Sequence, residues 1–243
     1  MKPNFDVRTR LETICFLLIL LLTTGVHGCR NSSEPEPVRP DPPQIVAKSP
    51  DTALQETGID AIPEGDGIFF AWHPPRDDRV KWIKIYRRAQ NEDKFQFLAS
   101  VSSRDTSFID YEIYPEIPYF YYLTTVTRNR VNSAPSDTIH YMLFPKPGGL
   151  SNSEGNKPAF SWHYSALPPI GYYLRLEDEQ TAERIWLAEI THVYDAVVQV
   201  EYNFDGTANQ DSLVTSHRYR WRVDVIGMDF FSGAESNWKL LQR

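Results

Sequence analysis

The second half of the chain repeats the first half. The segment 70–73 (Phe-Ala-Trp-His) recurs at 160–163 (Phe-Ser-Trp-His), and 119–123 (Tyr-Phe-Tyr-Tyr-Leu) recurs at 219–223 (Tyr-Arg-Trp-Arg-Val). The offset is 89 to 90 positions in the early parts of the two copies and 100 positions in the later parts, so the second copy carries about 11 extra residues, which we place around 203–211. A repeat of this period predicts two copies of one structural unit.

Each copy has the residue pattern of short β-strands. In segment 218–225 Tyr and Trp, then two Val, alternate with Arg and Asp, the period-2 pattern of a half-buried strand. Phe95, Phe97, Ala99 and Val101 alternate in the same way and predict one strand face. Long stretches with helical period are missing, and 18 prolines divide the strands. We therefore predict an all-β chain with two consecutive immunoglobulin-like β-sandwiches of about 100 residues each.

Five landmarks of the first copy occur in order and resemble a fibronectin type III domain. The match runs over residues 44–145, and residues 146–243 resemble a second, divergent domain of this kind with a longer middle. The landmarks are Trp72-His73-Pro74-Pro75, Ile83–Arg88, Phe97-Leu98-Ala99 with Ile109-Asp110, Tyr119-Phe120-Tyr121 and Ser133–Ser136.

The resemblance implies the positions of the core and the domain boundary. Trp72 and Trp162 are expected between the two sheets of their domains, with Tyr121 and Trp221 facing them from the opposite sheet. Residues 146–149, Lys-Pro-Gly-Gly, are the expected hinge between the domains.

The N-terminus has the pattern of a secretory signal peptide. Three basic residues precede an apolar run over 14–22, which is too short for the roughly 20 residues of a membrane span. Val26-His27-Gly28-Cys29 resembles a bacterial lipobox, in which Cys29 becomes the first mature residue and carries acyl chains such as palmitate. An ordinary signal peptide with an incidental cysteine is the alternative. We expect residues 1–28 to be removed.

A proline-rich tether follows the predicted lipidation site. Residues 29–43 contain five prolines and few apolar side chains, so they predict a disordered, extended spacer. Removal of residues 1–28 leaves a net charge of −8, which argues against a nucleic-acid partner. The mature chain would have no free thiol, consistent with an oxidising envelope compartment.

No recognisable catalytic motif occurs in the chain. Nucleophile-elbow, phosphate-loop and His-Glu-x-x-His patterns are missing, and no histidine pair has metal-ligand spacing. We predict no catalytic residues, no metal site and no cofactor. The acidic segments 177–179 and 77–78 are interpreted as solvated turns, with a carboxylate pair for glycoside hydrolysis as the alternative. Oxygen atoms of Asp205, Asn209 and Asp211 are an alternative calcium site.

Two groups of residues are candidates for binding. Arg218, Arg220 and Arg222 share a strand face that Trp238 and Tyr173 could reach, which predicts a structural cation–π ladder, with an anion-binding patch as the alternative. Aromatic residues also crowd the first copy, and strand alternation must turn about half of residues 119–122 outward. That row is a candidate surface for sugar rings or for a protein, and packing under a loop is the alternative. The candidate binding residues are Arg218, Arg220, Arg222, Trp238, Tyr111 and Tyr114.

Together these features predict a non-catalytic, lipid-anchored cell-envelope protein that presents tandem β-sandwiches for protein–protein interaction or adhesion. A carbohydrate-binding surface lipoprotein is the alternative, and a hydrolase using the carboxylates near 203–211 is a third hypothesis. The expected partners are a bacterial membrane, through lipidated Cys29, and a protein in the envelope or at the surface. We expect the outer membrane or cell surface rather than the inner membrane.

Overall fold

The computed structural model describes residues 38–193 and 197–242. The predicted signal peptide, Cys29 and most of the tether lie outside these residues. Every regular element in the described part is a β-strand, so the predicted fold class, all-β with two immunoglobulin-like sandwiches, is confirmed. Within the same part, no helix is long and apolar enough to cross a membrane.

The first sandwich consists of a three-stranded and a four-stranded sheet. The order in the smaller sheet is β1-β2-β5, and in the larger sheet β4-β3-β6-β7. The strands are β1 (Asp60–Ala61), β2 (Ile68–Ala71), β3 (Val80–Ala89), β4 (Gln96–Ser102), β5 (Ser107–Asp110), β6 (Pro118–Thr127) and β7 (Ile139–Leu143).

The second sandwich repeats this arrangement. Its smaller sheet has the order β8-β9-β12, and its larger sheet has the order β11-β10-β13, with β14 and β15 both paired to β13. The strands are β8 (Gly148–Asn152), β9 (Ala159–His163), β10 (Gly171–Asp178), β11 (Arg184–Thr191), β12 (Val197–Glu201), β13 (Arg218–Ile226), β14 (Ser232–Glu235) and β15 (Lys239–Gln242).

Equivalent aromatic residues fill the two cores. Trp72 and Trp162 are buried. The rings of Phe70 and Tyr121 lie 4.8 Å apart in the first core, and those of Phe160 and Trp221 lie 4.9 Å apart in the second. Ring pairs at these separations add to the stabilisation that comes from burial alone.

Hydrogen bonds repeat between the copies as well. The hydroxyl of Tyr119 accepts the amide of Tyr114 at 3.2 Å, and that of Tyr219 accepts the amide of Val214 at 3.0 Å, in each case five residues earlier. Such a tyrosine corner is a recurring feature of immunoglobulin-like sandwiches. Residues 100 positions apart in the sequence thus occupy equivalent places in the two sandwiches.

The alternation predicted for Phe95 to Val101 is broken by a β-bulge. The register between β3 and β4 shifts at Ile85/Tyr86. Ala99 and Val101 pack against the first core, whereas Phe97 contacts Tyr86 on the other side of the sheet. An extra residue in one strand reverses the face on which the following side chains lie, so the expectation of one common face was wrong.

The two larger sheets join into one nine-stranded sheet. β7 pairs in parallel with β14, and the amides of Met142 and Phe144 donate to the carbonyls of Phe231 (2.9 Å) and Gly233 (2.8 Å). Leu143 belongs to the first core, whereas Met142 and Phe144 contact the second. Because successive strand residues point to opposite faces, the two cores lie on opposite faces of the shared sheet.

The connector between the sandwiches is also held by hydrogen bonds. The ammonium group of Lys146 donates to the carbonyls of Ile62 (2.7 Å) and Pro63 (2.8 Å) in the first sandwich. The predicted hinge at 146–149 is therefore only one of several connections between the two sandwiches, and the pairing of β7 with β14 is another.

The extra residues of the second copy lie between β12 and β13 and cover the edge of β11. The amide of Asn209 donates to the carbonyl of Ile185 (2.9 Å), and the indole of Trp186 donates to Asp205 (2.9 Å). Asp205 also accepts two hydrogen bonds from Thr207. Of the three residues considered for calcium, Asp205 uses its oxygen atoms to fold the insertion segment, residues 203–211.

Candidate functional site

A continuous group of aromatic side chains covers the outer side of the first sandwich, on the face turned away from its core. β3 places Tyr86 opposite Phe97 of β4 and Tyr122 of β6, and β6 places Phe120 opposite His140 of β7. We call this surface the outer aromatic face. It comprises Tyr86, Arg88, Phe95, Phe97, Phe120, Tyr122 and His140.

The rings of the outer aromatic face contact one another from strand to strand. Tyr86 and Tyr122 stack with centroids 4.7 Å apart and an interplanar angle of 14°. Phe97 meets Tyr86 edge-on at 5.9 Å, and Phe95 meets Tyr122 edge-on at 4.8 Å. Phe120 stacks on His140 at 5.6 Å. The side chains therefore form an ordered layer rather than separate exposed rings.

Two cations lie on the same face without a carboxylate partner. The guanidinium of Arg88 is 4.1 Å from the ring centroid of Phe120 and 5.3 Å from that of Phe95. Lys84 points to the same side, two residues before Tyr86. Among the described residues neither Lys84 nor Arg88 has a salt bridge, so both charges are available to an acidic partner.

The outer aromatic face ends at an open sheet edge. β4 is a terminal strand of the nine-stranded sheet and contains neither a charged residue nor proline. Phe97, on this strand, is 57% exposed. The amide of Ser103 donates to Lys81 of β3 at 3.0 Å, so alternation directs the backbone groups of Ser100 to the open side. Uncharged edges of this kind accept further strands.

This geometry suits a protein partner better than a sugar. Stacking on sugar needs an open ring face, but Tyr86 and Tyr122 cover one another, and Phe97 and Phe95 abut them. Tyr, Phe and Arg side chains are enriched in protein interfaces, and here Phe97 is exposed while the other rings and Arg88 are half-buried. The open edge of β4 adds backbone donors and acceptors that only a polypeptide strand can match.

The arginine row of β13 is neutralised by carboxylates. Arg218 pairs with Glu179 and Arg220 pairs with Glu177, both at 2.7 Å. The guanidiniums of Arg220 and Arg222 lie 4.3 and 4.9 Å from the ring of Trp238. This is the geometry of the predicted cation–π ladder, and the paired arginines present no unmatched positive charge to an anion.

Arg222 is not part of an exposed surface. It is only 4% exposed, because residues 48–57 of the first sandwich lie over this side of β13. Arg222 forms ion pairs with Glu235 (2.7 Å), Glu56 (2.7 Å) and Asp224 (2.8 Å), whose carboxylates lie within 4.8 Å of one another. Three carboxylates so placed could hold a metal ion, but the guanidinium already bonds all of them.

The interpretation of the acidic segment 177–179 as a solvated turn is wrong. Glu177 and Asp178 are buried, and Asp178 accepts the amides of Gln180 and Thr181, both at 2.8 Å. The bond from Thr181 and that from His217 lower the pKa of Asp178 to about 2. These carboxylates hold neighbouring elements in place.

Tyr111 and Tyr114 lie apart from the arginine row. Both are on the segment between β5 and β6, and they are 59% and 73% exposed. The ring of Tyr111 lies beside Gly67 of the first sandwich. The six candidate binding residues therefore do not form one site.

The outer aromatic face was only partly visible in the sequence. Phe120 and Tyr122 follow from the alternation of β6, and the i, i+2 spacing of Tyr86 and Arg88 on β3 was a usable signal that we missed. Phe97 reaches this face only through the bulge, for which the sequence has no clear mark.

The strand order defines the class of fold: two immunoglobulin-like β-sandwiches in tandem. A two-domain fibronectin type III segment of chicken tenascin is similar to this protein, with 14% identity and a TM-score of 0.34, over 85% of this chain and 100% of that one. The FN1–FN3 domains of chicken CNTN1 share 12% identity, with a TM-score of 0.35, over 83% of this chain and 68% of that one. No family model and no curated protein matches the sequence.

Proposed function

We propose that this chain is a non-catalytic, lipid-anchored protein of the bacterial cell envelope that binds a protein partner through the outer aromatic face. The observation that carries the proposal is the aromatic layer next to two unpaired cations and an uncharged sheet edge. The partner it fits is a polypeptide whose contact surface combines apolar side chains with carboxylates.

Anchoring is supported by the sequence. Cys29 ends a motif similar to a lipobox, and acyl chains on one cysteine give stable attachment when two or more are present. The part of the proline-rich tether before Pro40, at about 3 Å per residue, would hold the first sandwich roughly 30 Å from the membrane surface, because Asp41 already bonds Thr125 of that sandwich. Intact-mass measurement of the native protein tests this part: the chain is expected to begin at Cys29 and to exceed its polypeptide mass by the acyl chains. A mass of bare polypeptide contradicts it.

The partner is tested by cross-linking in intact cells with face variants. Wild type is expected to give a discrete cross-linked protein species, which Arg88→Glu and Phe97→Ala each abolish. Cys29→Ala separates partner binding from anchoring. Tyr114→Ala serves as the matched control, because Tyr114 is exposed but lies on another loop. Loss of the species in the control alone, or its persistence in both face variants, contradicts the proposed surface.

The carbohydrate-binding alternative has its own assay. A glycan array probed with the full chain in detergent is expected to stay silent, because the stacked rings have little free face. A binding signal that Phe97→Ala removes would show that the outer aromatic face binds sugar.

A further inference from the structure

Lys48 is buried between two carboxylates of the first sandwich. Its side chain is only 1% exposed, and its ammonium group bonds Asp51 at 2.8 Å and also bonds Asp60. The rings of Tyr141 and of Phe230, from the second sandwich, cover it with centroids 5.7 and 5.5 Å from the nitrogen. Buried ions carry a desolvation cost that their mutual attraction only partly offsets, so a reaction that removes two of these charges is favoured here.

Backbone contacts hold Lys48 and Asp60 together. The amide of Ser49 donates to the carbonyl of Thr57 at 3.0 Å, and the amide of Thr57 donates to the hydroxyl of Ser49 at 2.9 Å. Asp60 itself belongs to β1, which pairs with β2. The surrounding structure therefore keeps the nitrogen of Lys48 in contact with the carboxyl group of Asp60, the arrangement that gives intramolecular reactions their high effective concentrations.

Two donors polarise the carboxyl group of Asp60. Its Oδ1 atom accepts the hydroxyl of Tyr141 and the amide of Ala61, both at 2.9 Å, whereas the ammonium group of Lys48 contacts Oδ2. Burial, and then the charge of Asp60, raise the pKa of Tyr141 well above its ordinary value, so its hydroxyl stays a donor. Two donors aimed at one oxygen stabilise the negative charge that develops there when a nucleophile attacks the carbon.

Asp51 is placed to move a proton. Its Oδ1 atom lies 2.8 Å from the nitrogen of Lys48, and its side chain is 26% exposed, so it contacts both the amine and water. Burial lowers the pKa of Lys48, but the charges of Asp60 and Asp51 outweigh burial and raise it, so the amine needs a base before it can attack. Burial raises the pKa of Asp60 against the charge of Lys48, which favours the protonated carboxyl group that can lose an oxygen atom as water.

We propose that the nitrogen of Lys48 and the carboxyl carbon of Asp60 condense to an amide, with Asp51 as the group that carries a proton. Asp51 takes one proton from the ammonium group, and the neutral nitrogen attacks the carboxyl carbon. Negative charge then collects on the oxygen that Tyr141 and Ala61 hold. The C–N bond forms and the bond from carbon to Oδ2 breaks. Two of the three ammonium protons leave with that oxygen as one water molecule, one of them delivered by Asp51, and the third stays on the amide nitrogen.

The cross-link closes the segment 48–60, which docks on the second sandwich. In this segment the carbonyl of Asp51 accepts Arg175 at 2.8 Å, and that of Thr52 accepts Arg184 at 2.7 Å. A cross-linked loop has fewer conformations available when its contacts open, so its docking groups stay near their partners. The amide is thus a covalent support for the junction of the two sandwiches. It does not involve the outer aromatic face, so this proposal and the proposed function fail separately.

Digestion of the denatured full chain tests the proposal. Glu56 lies between Lys48 and Asp60, so a glutamate-specific protease separates the two residues unless their side chains are joined. After this protease and trypsin, we expect the fragments that end at residues 56 and 64 to stay joined, with a mass one water molecule below their sum and no cleavage after Lys48. Separate fragments with cleavage after Lys48 overturn the proposal. So does a loss of water confined to the fragment that ends at residue 56, because that would place the amide at Asp51.

Variants of the three residues assign their roles. Lys48→Arg keeps the positive charge but lacks the amine, and Asp60→Ala lacks the carboxyl group, so we expect separate fragments from both. In Asp51→Asn, we expect the cross-link to accumulate about a hundredfold more slowly after synthesis, as loss of a general acid–base group predicts. Asp105→Asn, a matched change of an exposed aspartate in the first sandwich, should react at the wild-type rate.

Two results with the variants would also overturn the proposal. One is a Lys48→Arg chain whose fragments stay joined, and the other is an Asp51→Asn chain that cross-links as fast as wild type. The wild-type digest requires no variant, so it decides whether the amide exists even if a substituted chain fails to fold.

Discussion

Replacement of Ser236 by alanine removes an acceptor from the centre of the second sandwich. The hydroxyl oxygen of Ser236 accepts the amide of Val223 at 2.9 Å, and both residues are fully buried. Ser136 makes the same bond to the amide of Leu123, also at 2.9 Å. Each serine hydroxyl thus serves as the acceptor that a carbonyl of a neighbouring strand would otherwise provide for that amide.

The cost follows from the burial of that amide. A buried donor left without an acceptor costs about 1–3 kcal/mol, because its desolvation is no longer compensated. Water does not reach Val223, so we expect Ser236→Ala to lower the free energy of unfolding by an amount in this range. Because the distances are equal in the two copies, Ser136→Ala should cost the same to within about 0.5 kcal/mol.

Urea unfolding followed by tryptophan fluorescence measures this effect. With a slope of about 2–3 kcal/mol per M, a loss of about 1–3 kcal/mol should lower the transition midpoint by about 0.3–1.5 M at unchanged slope. Ser161→Ala is the control, since the hydroxyl of Ser161 bonds only that of Ser151 in an exposed pair, and it should stay within about 0.5 kcal/mol of wild type. A cost for Ser236→Ala below that limit, or an equal cost in the control, would refute the reasoning.

Two further predictions concern carboxylates of the second sandwich. The bonds from Thr181 and His217 keep the pKa of Asp178 at about 2, so its contribution to stability is present above about pH 4 and is lost as pH falls through about 2. Asp178→Asn should melt below wild type at pH 7 and together with it near pH 2; a difference that persists at pH 2 contradicts this. Asp205→Ala removes the acceptor of Trp186, and limited proteolysis should then cut the insertion segment severalfold faster than in wild type. Equal cleavage rates would show that Asp205 does not hold the segment.

Because of the shared sheet, the outer faces of the two sandwiches have different surroundings. On one side of the sheet, the first sandwich covers the polar face of β13 and uses its charges for docking. On the other side, the corresponding face of the first sandwich keeps its aromatic layer open. Two copies of one fold thus supply one internal junction and one candidate surface for binding.

Much of the fold was predictable because its determinants are local. The repeat and the period-2 strands could be predicted from the sequence. The core residues Trp72, Trp162, Tyr121 and Trp221 are all buried, as expected. Side-chain alternation in a strand depends only on position in the chain, so the outward direction of Phe120 and Tyr122 was also predictable.

The binding role of Arg222 was wrongly predicted for a physical reason. Alternation shows that Arg222 lies on the outer side of its own sandwich, but it cannot show that another part of the chain covers that side. Glu56, its partner, is 166 positions away, within a segment that has no pattern of its own.

The two-copy β architecture and the composition of each strand face depend on spacing along the chain, so the sequence is sufficient to predict them. Which face stays open depends on the pairing of β7 with β14 and on the bulge in β4, which are seen only in the folded chain. Both features arise from backbone pairing between segments, and a strand's own residues do not encode its neighbour. The open position of Phe97 and the buried position of Arg222 both depend on contacts with other segments of the chain.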